Sequence, residues 1–198
     1  MGKQIIISVG REFGSGGHEI AEKLAKHYDI PLYGKEIFEH VEENGAISVD
    51  VAKYFDEKPV NPIFYPIAFD GNYLPLEQTV ANHIFDFIRK KGVEEQESFV
   101  IVGRCAESVL SDRENVLKIF IHADMDFRIA RVMDEQGVTK SEATSIIKKY
   151  DKKRAAYHNY YSDTRWGSRS AYDFCLNSSI GIDTIVDIIV NAVQNKIK

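Results

Sequence analysis

The sequence predicts an α/β fold, with a five-stranded parallel sheet flanked by helices on both faces. Short runs of β-branched and apolar residues, such as residues 4–9 and 98–102, are typical of strands buried on both faces of such a sheet. Segments with apolar residues at helical spacing separate these runs. Strands that alternate with helices are joined by right-handed crossovers, and such crossovers make the sheet parallel.

The chain begins with a predicted strand, a glycine-rich loop and a helix. The strand is Gln4–Val9, and glycines are frequent from Gly10 to Gly17. Beyond them, apolar residues recur at the helical period, at Ile20, Ala21, Leu24 and Ala25.

Four further strands complete the predicted sheet: Pro31–Tyr33, Ser98–Val102, Val116–Ile121 and Phe174–Leu176. The last helix shows its period most clearly, because one stripe of it is apolar: Ile182, Ile185, Val186, Ile189, Val190 and Val193. We expect this helix to pack on the sheet.

Two stretches depart from the alternation of strands and helices. Residues 45–75 contain four of the five prolines and predict an irregular excursion. Residues 148–170 are basic and tyrosine-rich and follow a helix that should start at Thr139 or Ser141. Loops longer than about 12–15 residues are usually functional or disordered. In a nucleotide enzyme the second stretch would be a lid.

Composition is typical of one globular domain. The 198 residues are 44% hydrophobic and 28% charged, and the net charge of −5 argues against nucleic acid as a partner. The two cysteines lie 70 residues apart without metal-ligand spacing, so we expect neither a disulfide framework nor a zinc site and place the chain in the cytoplasm. No apolar run approaches the length of a membrane span, so we expect no membrane partner.

The glycine segment, residues 10–18, predicts an anion-binding loop. Glycines let backbone N–H groups turn toward an anion, and the following helix adds its positive N-terminus. Phosphate is the anion that such a loop most often binds. The alternative is a tight turn that binds no ligand. The segment does not match the dinucleotide-binding pattern, because no glycine stands three residues after Gly16. It does not match the Walker A pattern either, because the lysine is missing.

Three segments resemble, in order, the cytidylate kinase-like family of P-loop kinases. They are Gly-Arg-Glu-Phe-Gly-Ser-Gly-Gly-His-Glu-Ile-Ala from residue 10, Val-Gly-Arg-Cys-Ala at 102–106, and Leu-Lys-Ile-Phe-Ile-His-Ala at 117–123. The resemblance implies a single three-layer P-loop kinase domain over residues 1–198, with the first strand central. It further implies an acceptor-binding segment at about 34–96 and a lid at about 137–170.

The resemblance also implies roles for individual residues. The phosphates of the nucleotide would be bound by Gly10, Arg11, Gly14, Ser15, Gly16, Gly17 and His18. Arg104 would grip the acceptor, and Arg128, Arg131, Asp151 and Arg154 would be catalytic. Phosphoryl transfer needs substrates held in line and positive charge over the transferred oxygens more than it needs covalent catalysis. Arginine provides both, because its guanidinium is always charged and binds phosphate through two parallel hydrogen bonds. The alternative is that the charged residues of helix and lid are solvated surface groups.

Several positions depart from the family's pattern. Gly17 stands where its enzymes have the loop lysine, and Val102, Cys105 and His122 stand where acidic residues are usual. Either Arg11 and Glu19 have taken over from the missing groups, or the protein binds nucleotide without efficient transfer. The ligands of any metal ion stay unassigned.

These features predict ATP-dependent phosphoryl transfer, with Mg²⁺, to a nucleoside monophosphate such as CMP or dCMP. One alternative is a non-catalytic nucleotide-binding regulator, which the missing lysine favours. Another is a kinase of a different small metabolite, since the segment at 33–36 does not resemble the acceptor site of true cytidylate kinases. The sequence leaves the oligomeric state open.

Overall fold

The fold is organised around a parallel sheet with the first strand at its centre. A computed structural model describes residues 4–35, 37–39, 48–55, 57–58 and 75–197, and these form a five-stranded sheet in the order β2-β3-β1-β4-β5. The strands are β1 (Ile6–Arg11), β2 (Leu32–Tyr33), β3 (Phe99–Val102), β4 (Val116–His122) and β5 (Phe174–Asn177). The predicted strands, their parallel pairing and the central first strand are confirmed.

Helices cover both faces of the sheet. The described helices include α1 (Gly17–Tyr28), α2 (Val49–Phe55), α3 (Leu76–Arg89), α4 (Ala106–Val109), α5 (Met125–Gln136), α6 (Lys140–Tyr161) and α7 (Ile182–Ile197). Apolar residues of α1 and α7 pack on one face of the sheet, and those of α3 pack on the other. None of the helices in the described ranges is long and apolar enough to cross a bilayer.

The alternation of side chains along β1 explains the two core layers. Ile6 belongs to the cluster beneath α3, whereas Ile7 and Val9 belong to the cluster beneath α1 and α7. Successive residues of a strand point to opposite faces of the sheet, so a continuous apolar run contributes side chains to both core clusters. Ile185 and Ile189 of the predicted apolar stripe are fully buried in the second layer.

Helix α6 is longer than the sequence pattern predicts. It begins after Thr139, whose side chain accepts from the Glu142 N–H at 3.3 Å while the Glu142 carboxylate accepts from the Thr139 N–H at 2.8 Å. Residues 148–161, predicted to be irregular, continue this helix. Ala143, Ile147 and His158 are buried at spacings of four and eleven residues, which is one face of a helix.

Two further boundaries differ from the prediction. Strand β1 extends through Arg11, because it pairs with β4 as far as the partners Arg11 and Ile121. The glycine loop therefore begins two residues later than the sequence suggests. Of the predicted excursion at 45–75, residues 48–55 and 57–58 are described and include α2, while its other parts, except residue 75, lie outside the described residues.

Candidate active site

A cleft of about 660 Å³ opens at the carboxyl ends of β1 and β3. It is lined by the glycine loop, by Gly34 and Lys35 after β2, by Arg104 after β3, and by side chains of α5 and α6. Ligands of open α/β sheets bind at this edge, where the order of the strands reverses. Within the described ranges, no three His, Cys, Asp or Glu side chains are grouped to hold a metal ion.

Two glycines in the left-handed region shape the loop. Gly14 has a φ of 76° and Gly16 a φ of 75°. The positive φ of Gly16 disfavours any residue other than glycine, and a Cβ atom there would also push against Cδ1 of Ile182 at 2.5 Å. Gly16 caps α1, whose first backbone N–H groups have no carbonyl partner within the helix. The unpaired N–H groups of this helix end and the backbone of the loop face the cleft together, which is the arrangement that the predicted anion-binding loop requires.

Arg128 and Asp151 fasten the loop to α5 and α6. Arg128 is 3% exposed, and it donates from Nε to the Phe13 carbonyl at 2.8 Å and pairs with Glu12 at 3.0 Å. Asp151 accepts from the Phe13 N–H at 2.8 Å and pairs with Arg128. Both were predicted to be catalytic, but these contacts are with the protein itself. They position the loop.

The predicted phosphate-binding residues divide between the cleft and the protein interior. Gly10 lies inside β1, where a Cβ atom would come within 2.9 Å of the Phe120 ring. Ser15 is fully buried and donates from Oγ to the Glu12 carbonyl at 2.9 Å. His18 lines the cleft and is half exposed. Gly10 and Ser15 therefore support the loop, and His18 is open to a ligand.

Arg11 lies at the boundary between the loop and the end of β3. A Cβ atom on Gly17 would come within 2.6 Å of Cβ of Arg11, and a Cβ atom on Gly103 would overlap its Nη1. Both glycines thus leave space for the arginine. Its Nη1 donates to Glu57 at 3.0 Å. The guanidinium is directed toward the end of β3 and not along the glycine loop, where the sequence-based hypothesis placed it.

Three consecutive residues after β3 adopt the left-handed conformation. The φ angles of Gly103, Arg104 and Cys105 are 75°, 58° and 54°. Such backbone is costly for residues other than glycine and is concentrated at functional sites. Arg104 is 4% exposed and donates to the Val102 carbonyl at 3.1 Å. Burial raises the pKa of the Cys105 thiol, so this cysteine is not an activated nucleophile.

Three arginines from three different elements converge on Glu57. The distances to its carboxylate oxygens are 3.0 Å from Arg11, 3.5 Å from Arg154 and 3.9 Å from Arg104. Burial by itself raises the pKa of Glu57, but the charges of the three arginines outweigh it and hold the pKa well below its usual range. The carboxylate is therefore ionised at neutral pH.

Arg131 provides positive charge beside the glycine loop. Its Nη1 lies 3.4 Å from the position that a Cβ atom of Gly16 would take. Its other nitrogens pair with Glu19 at 2.9 Å and with Glu135 at 2.7 Å. Because the side chain is only 27% exposed and its partners line the cleft, the guanidinium is held close to the glycine loop.

Helix α6 brings a further arginine and a lysine to the cleft, Arg154 and Lys153. The Arg154 guanidinium lies 5.5 Å from the centre of the Phe13 ring, which stacks on Tyr150 at 4.5 Å. Burial and the nearby charge of Arg11 lower the pKa of Arg154 to about 10. It thus keeps its positive charge at neutral pH.

Sequence reasoning identified most of the positive groups but not their partners. The structure brings Arg11, Arg104 and Arg154 together around the carboxylate of Glu57. Glu57 was missed because it lies in the proline-rich stretch with no recognisable spacing. Lys35 and Lys153 were also missed. Lys35 could have been found from its position directly after a strand, where ligands of α/β sheets bind.

Comparison with known proteins agrees with this geometry. The model of the cytidylate kinase-like family matches residues 6–180. A cytidylate kinase from Methanopyrus kandleri is 23% identical over 184 residues, covering 88% of this chain and 85% of that protein.

Solved structures show the same fold. An uncharacterized protein from Eubacterium ventriosum is 41% identical with a TM-score of 0.76, over 96% of this chain and 99% of that chain. A shikimate kinase from Bacteroides thetaiotaomicron has a TM-score of 0.55 at 14% identity, over 96% of this chain and 98% of that one, and shares the P-loop fold. Because the family match spans the whole sheet, the glycine loop and α6, the chain belongs to the cytidylate kinase-like family.

Proposed function

We propose that the protein transfers the γ-phosphoryl group of ATP to a nucleoside monophosphate, with CMP or dCMP as the favoured acceptor. Its family supports phosphoryl transfer to a small molecule. The observation that carries the proposal is a single cleft with two positively charged surfaces, the glycine loop beside Arg131 and the arginines around Glu57. Arg11 lies between them.

The loop side suits the donor phosphates. Backbone N–H groups at the start of α1 and the Arg131 guanidinium would surround the β- and γ-phosphates. Arg11 packs on the first residue of α1 and extends toward the end of β3, so its charge lies where the transferred group would pass. Two arginines would thus supply the positive charge that a loop lysine supplies in other P-loop kinases.

The end of β3 suits the acceptor. Arg104 is held by its left-handed backbone and its bond to the Val102 carbonyl. A buried, oriented guanidinium can bind a phosphate through two parallel hydrogen bonds. Phosphoryl transfer would then depend on holding donor and acceptor in line, with charge over the transferred oxygens.

Magnesium fits the cleft as a companion of the nucleotide. Mg²⁺ usually binds through one or two carboxylates, water and substrate phosphates, so a cage of protein ligands is unnecessary. Glu19, one residue beyond His18 in the first turn of α1, lines the cleft and would supply the protein oxygen. The ion would neutralise phosphate charge. The carboxylate of Glu19 also orients Arg131 through their 2.9 Å contact.

Residues 137–170 would serve as the lid, with α6 as its rigid part. Lys153 and Arg154 reach the cleft from this helix, and Asp151 ties it to the loop. These two cations would meet the phosphates of bound nucleotide from their present place in the cleft, and their helix would help to exclude water.

A release assay for ADP separates the proposed kinase from its alternatives. The enzyme with Mg²⁺ and ATP or GTP is tested against nucleoside monophosphates and small hydroxylated acids. The proposal predicts the highest kcat/KM with CMP or dCMP. Turnover of another compound would favour a different acceptor. No turnover, together with measurable ATP binding, would favour the regulator that Gly17 suggests.

A further inference from the structure

A buried contact that the proposed function does not use joins α4 to α6. Nε2 of His158 lies 2.7 Å from Oε1 of Glu107, and both side chains are buried. Nδ1 of His158 is also buried and has no hydrogen-bond partner among the residues that the structure describes. The contact with Glu107 is therefore the polar interaction that fixes the imidazole ring.

Glu107 is closely connected to the left-handed turn after β3. Helix α4 has only four residues, and the Ala106 N–H at its start donates back to the Gly103 carbonyl at 3.2 Å. Arg104 lies three residues before Glu107 in this compact unit, with a φ of 58°. Such a backbone conformation persists only where the surrounding contacts hold it. A contact that holds Glu107 thus also holds the backbone of Arg104.

Two anchors fix the direction of α6 beside the cleft. Asp151 accepts from the Phe13 N–H at 2.8 Å, which ties the helix to the glycine loop. His158 follows seven residues later and ties it to Glu107. Seven residues of an α-helix span about 10 Å. A single anchor would let the helix pivot, whereas two anchors at this separation define its direction.

Arg154 lies between the two anchors, three residues after Asp151 and four before His158. Residues at these spacings share one face of a helix. The Arg154 guanidinium reaches the Arg11 carbonyl at 3.4 Å and the Glu57 carboxylate at 3.5 Å. Both distances are longer than those of ordinary hydrogen bonds, so the course of α6 largely sets where this charge lies.

We propose that Glu107 and His158 are positioning residues, which hold Arg154 of α6 at a fixed place relative to Arg104 of the turn. Neither side of the pair is among the described residues that line the cleft, so the pair acts through the two arginines. The inference rests on the proposed function in assigning these arginines to the substrates. A displacement of about 1 Å can slow a reaction about a hundredfold, so loosening the pair should act mainly on kcat.

The first test removes both partners together. Glu107→Met combined with His158→Leu replaces the pair by apolar side chains of similar size, which should restore the stability that either single substitution loses. We expect the double variant to unfold cooperatively near the Tm of the parent, with a kcat about 10- to 100-fold lower. Thermal unfolding and initial rates with ATP and the accepted monophosphate measure both. A kcat equal to that of the parent would overturn the proposal, since apolar packing alone would then suffice.

A conservative variant of His158 keeps the test decisive if the double variant is unstable. The amide nitrogen of His158→Gln can donate where the imidazole Nε2 does, whereas His158→Leu keeps the bulk without a donor. Well below the Tm of each protein, we expect the Gln variant to keep kcat within about threefold of the parent and the Leu variant to lose about tenfold or more. Equal losses in both variants would overturn the proposal.

Val193→Ala is the control for lost stability. Val193 is buried in the core layer beneath α1 and α7, on the opposite face of the sheet from Tyr157 of α6. The substitution removes buried volume and should lower the Tm while kcat stays unchanged. A similar fall of kcat in this control would mean that kcat follows stability, and it would overturn the proposal.

A binding experiment tests the pair without any turnover. Arg154→Gln should weaken the binding of inorganic tripolyphosphate to the parent, measured by calorimetry. It should weaken binding much less in the Glu107→Met/His158→Leu background, where the guanidinium is already displaced. Equal losses in both backgrounds would overturn the proposal. If the losses differ but no monophosphate is phosphorylated, the positioning role stands and the proposed function fails.

Discussion

Gly17 packs so tightly against Arg11 that a Cβ atom on Gly17 would lie 2.6 Å from Cβ of Arg11. Real Cβ atoms do not approach so closely. The arginine at the end of β1 and the missing lysine at the start of α1 are therefore one coupled feature. A side chain at position 17 would require the backbone around Gly17 or Arg11 to shift.

This coupling predicts an unusual pattern of stabilities. Gly17→Ala should lower the free energy of unfolding by about 1–3 kcal/mol, the usual effect of overpacking. In an Arg11→Ala background, where residue 11 keeps its Cβ atom, Gly17→Ala should lower the free energy of unfolding by the same amount. In an Arg11→Gly background, where that atom is absent, the decrease should be much smaller. Chemical denaturation of the six proteins measures this. Equal costs in all three backgrounds would mean that the contact with Arg11 does not restrict position 17.

Removing the Arg11 side chain should weaken ATP binding without unfolding the protein. A charge-assisted hydrogen bond is worth about 1–3 kcal/mol, so Arg11→Ala should raise the Kd for ATP roughly 5- to 150-fold. Arg89→Ala removes an arginine from an exposed pair with Asp86 and should leave that Kd unchanged. Calorimetric titration of ATP compares the three proteins, and an unaltered Kd in Arg11→Ala would refute the role given to Arg11.

Arg104 should affect the two substrates differently. The side chain lies at the end of β3, away from the glycine loop, so Arg104→Ala should raise the KM of the acceptor far more than that of ATP. Initial rates at varied concentrations of each substrate measure the two effects. A similar rise in both KM values would remove Arg104 from the acceptor site.

A buried pair fastens α6 to the sheet side of the cleft. His158 Nε2 lies 2.7 Å from Glu107 Oε1, and their side chains are 5% and 4% exposed. His158→Ala leaves a buried carboxyl without this partner and should lower the free energy of unfolding by about 1–3 kcal/mol. Lys23→Ala breaks the exposed pair with Asp183 and should leave the Tm nearly unchanged. Thermal unfolding that ranked the two variants in the opposite order would contradict this assignment.

The local pattern of apolar residues predicts the sheet well, because a strand that is buried on both faces is apolar over consecutive residues. Ile6, Ile7 and Val9 are apolar in a row because both faces of β1 are covered. The extent of α6 was not predicted, since Tyr157 and His158 are buried by tertiary contacts amid a basic, polar stretch.

Sequence patterns predicted those site residues whose type and local position suggest a role, but not the contacts between distant residues. Arg104 follows a buried strand, so its place near a ligand could be anticipated. The bond between Phe13 and Asp151 joins residues 138 positions apart, and no local pattern signals it. Glu57 meets its three arginines from elements that are distant in sequence. Such contacts are set by the packing of the whole fold.

The identity of the product decides whether the protein is a nucleoside monophosphate kinase. Phosphorus NMR of the protein with ATP, Mg²⁺ and CMP follows every phosphate in one sample. We expect the γ-phosphate signal of ATP to fall while signals of ADP and CDP grow in equal amounts. Formation of ADP with inorganic phosphate and no CDP, or an unchanged spectrum while ATP is bound, would contradict it.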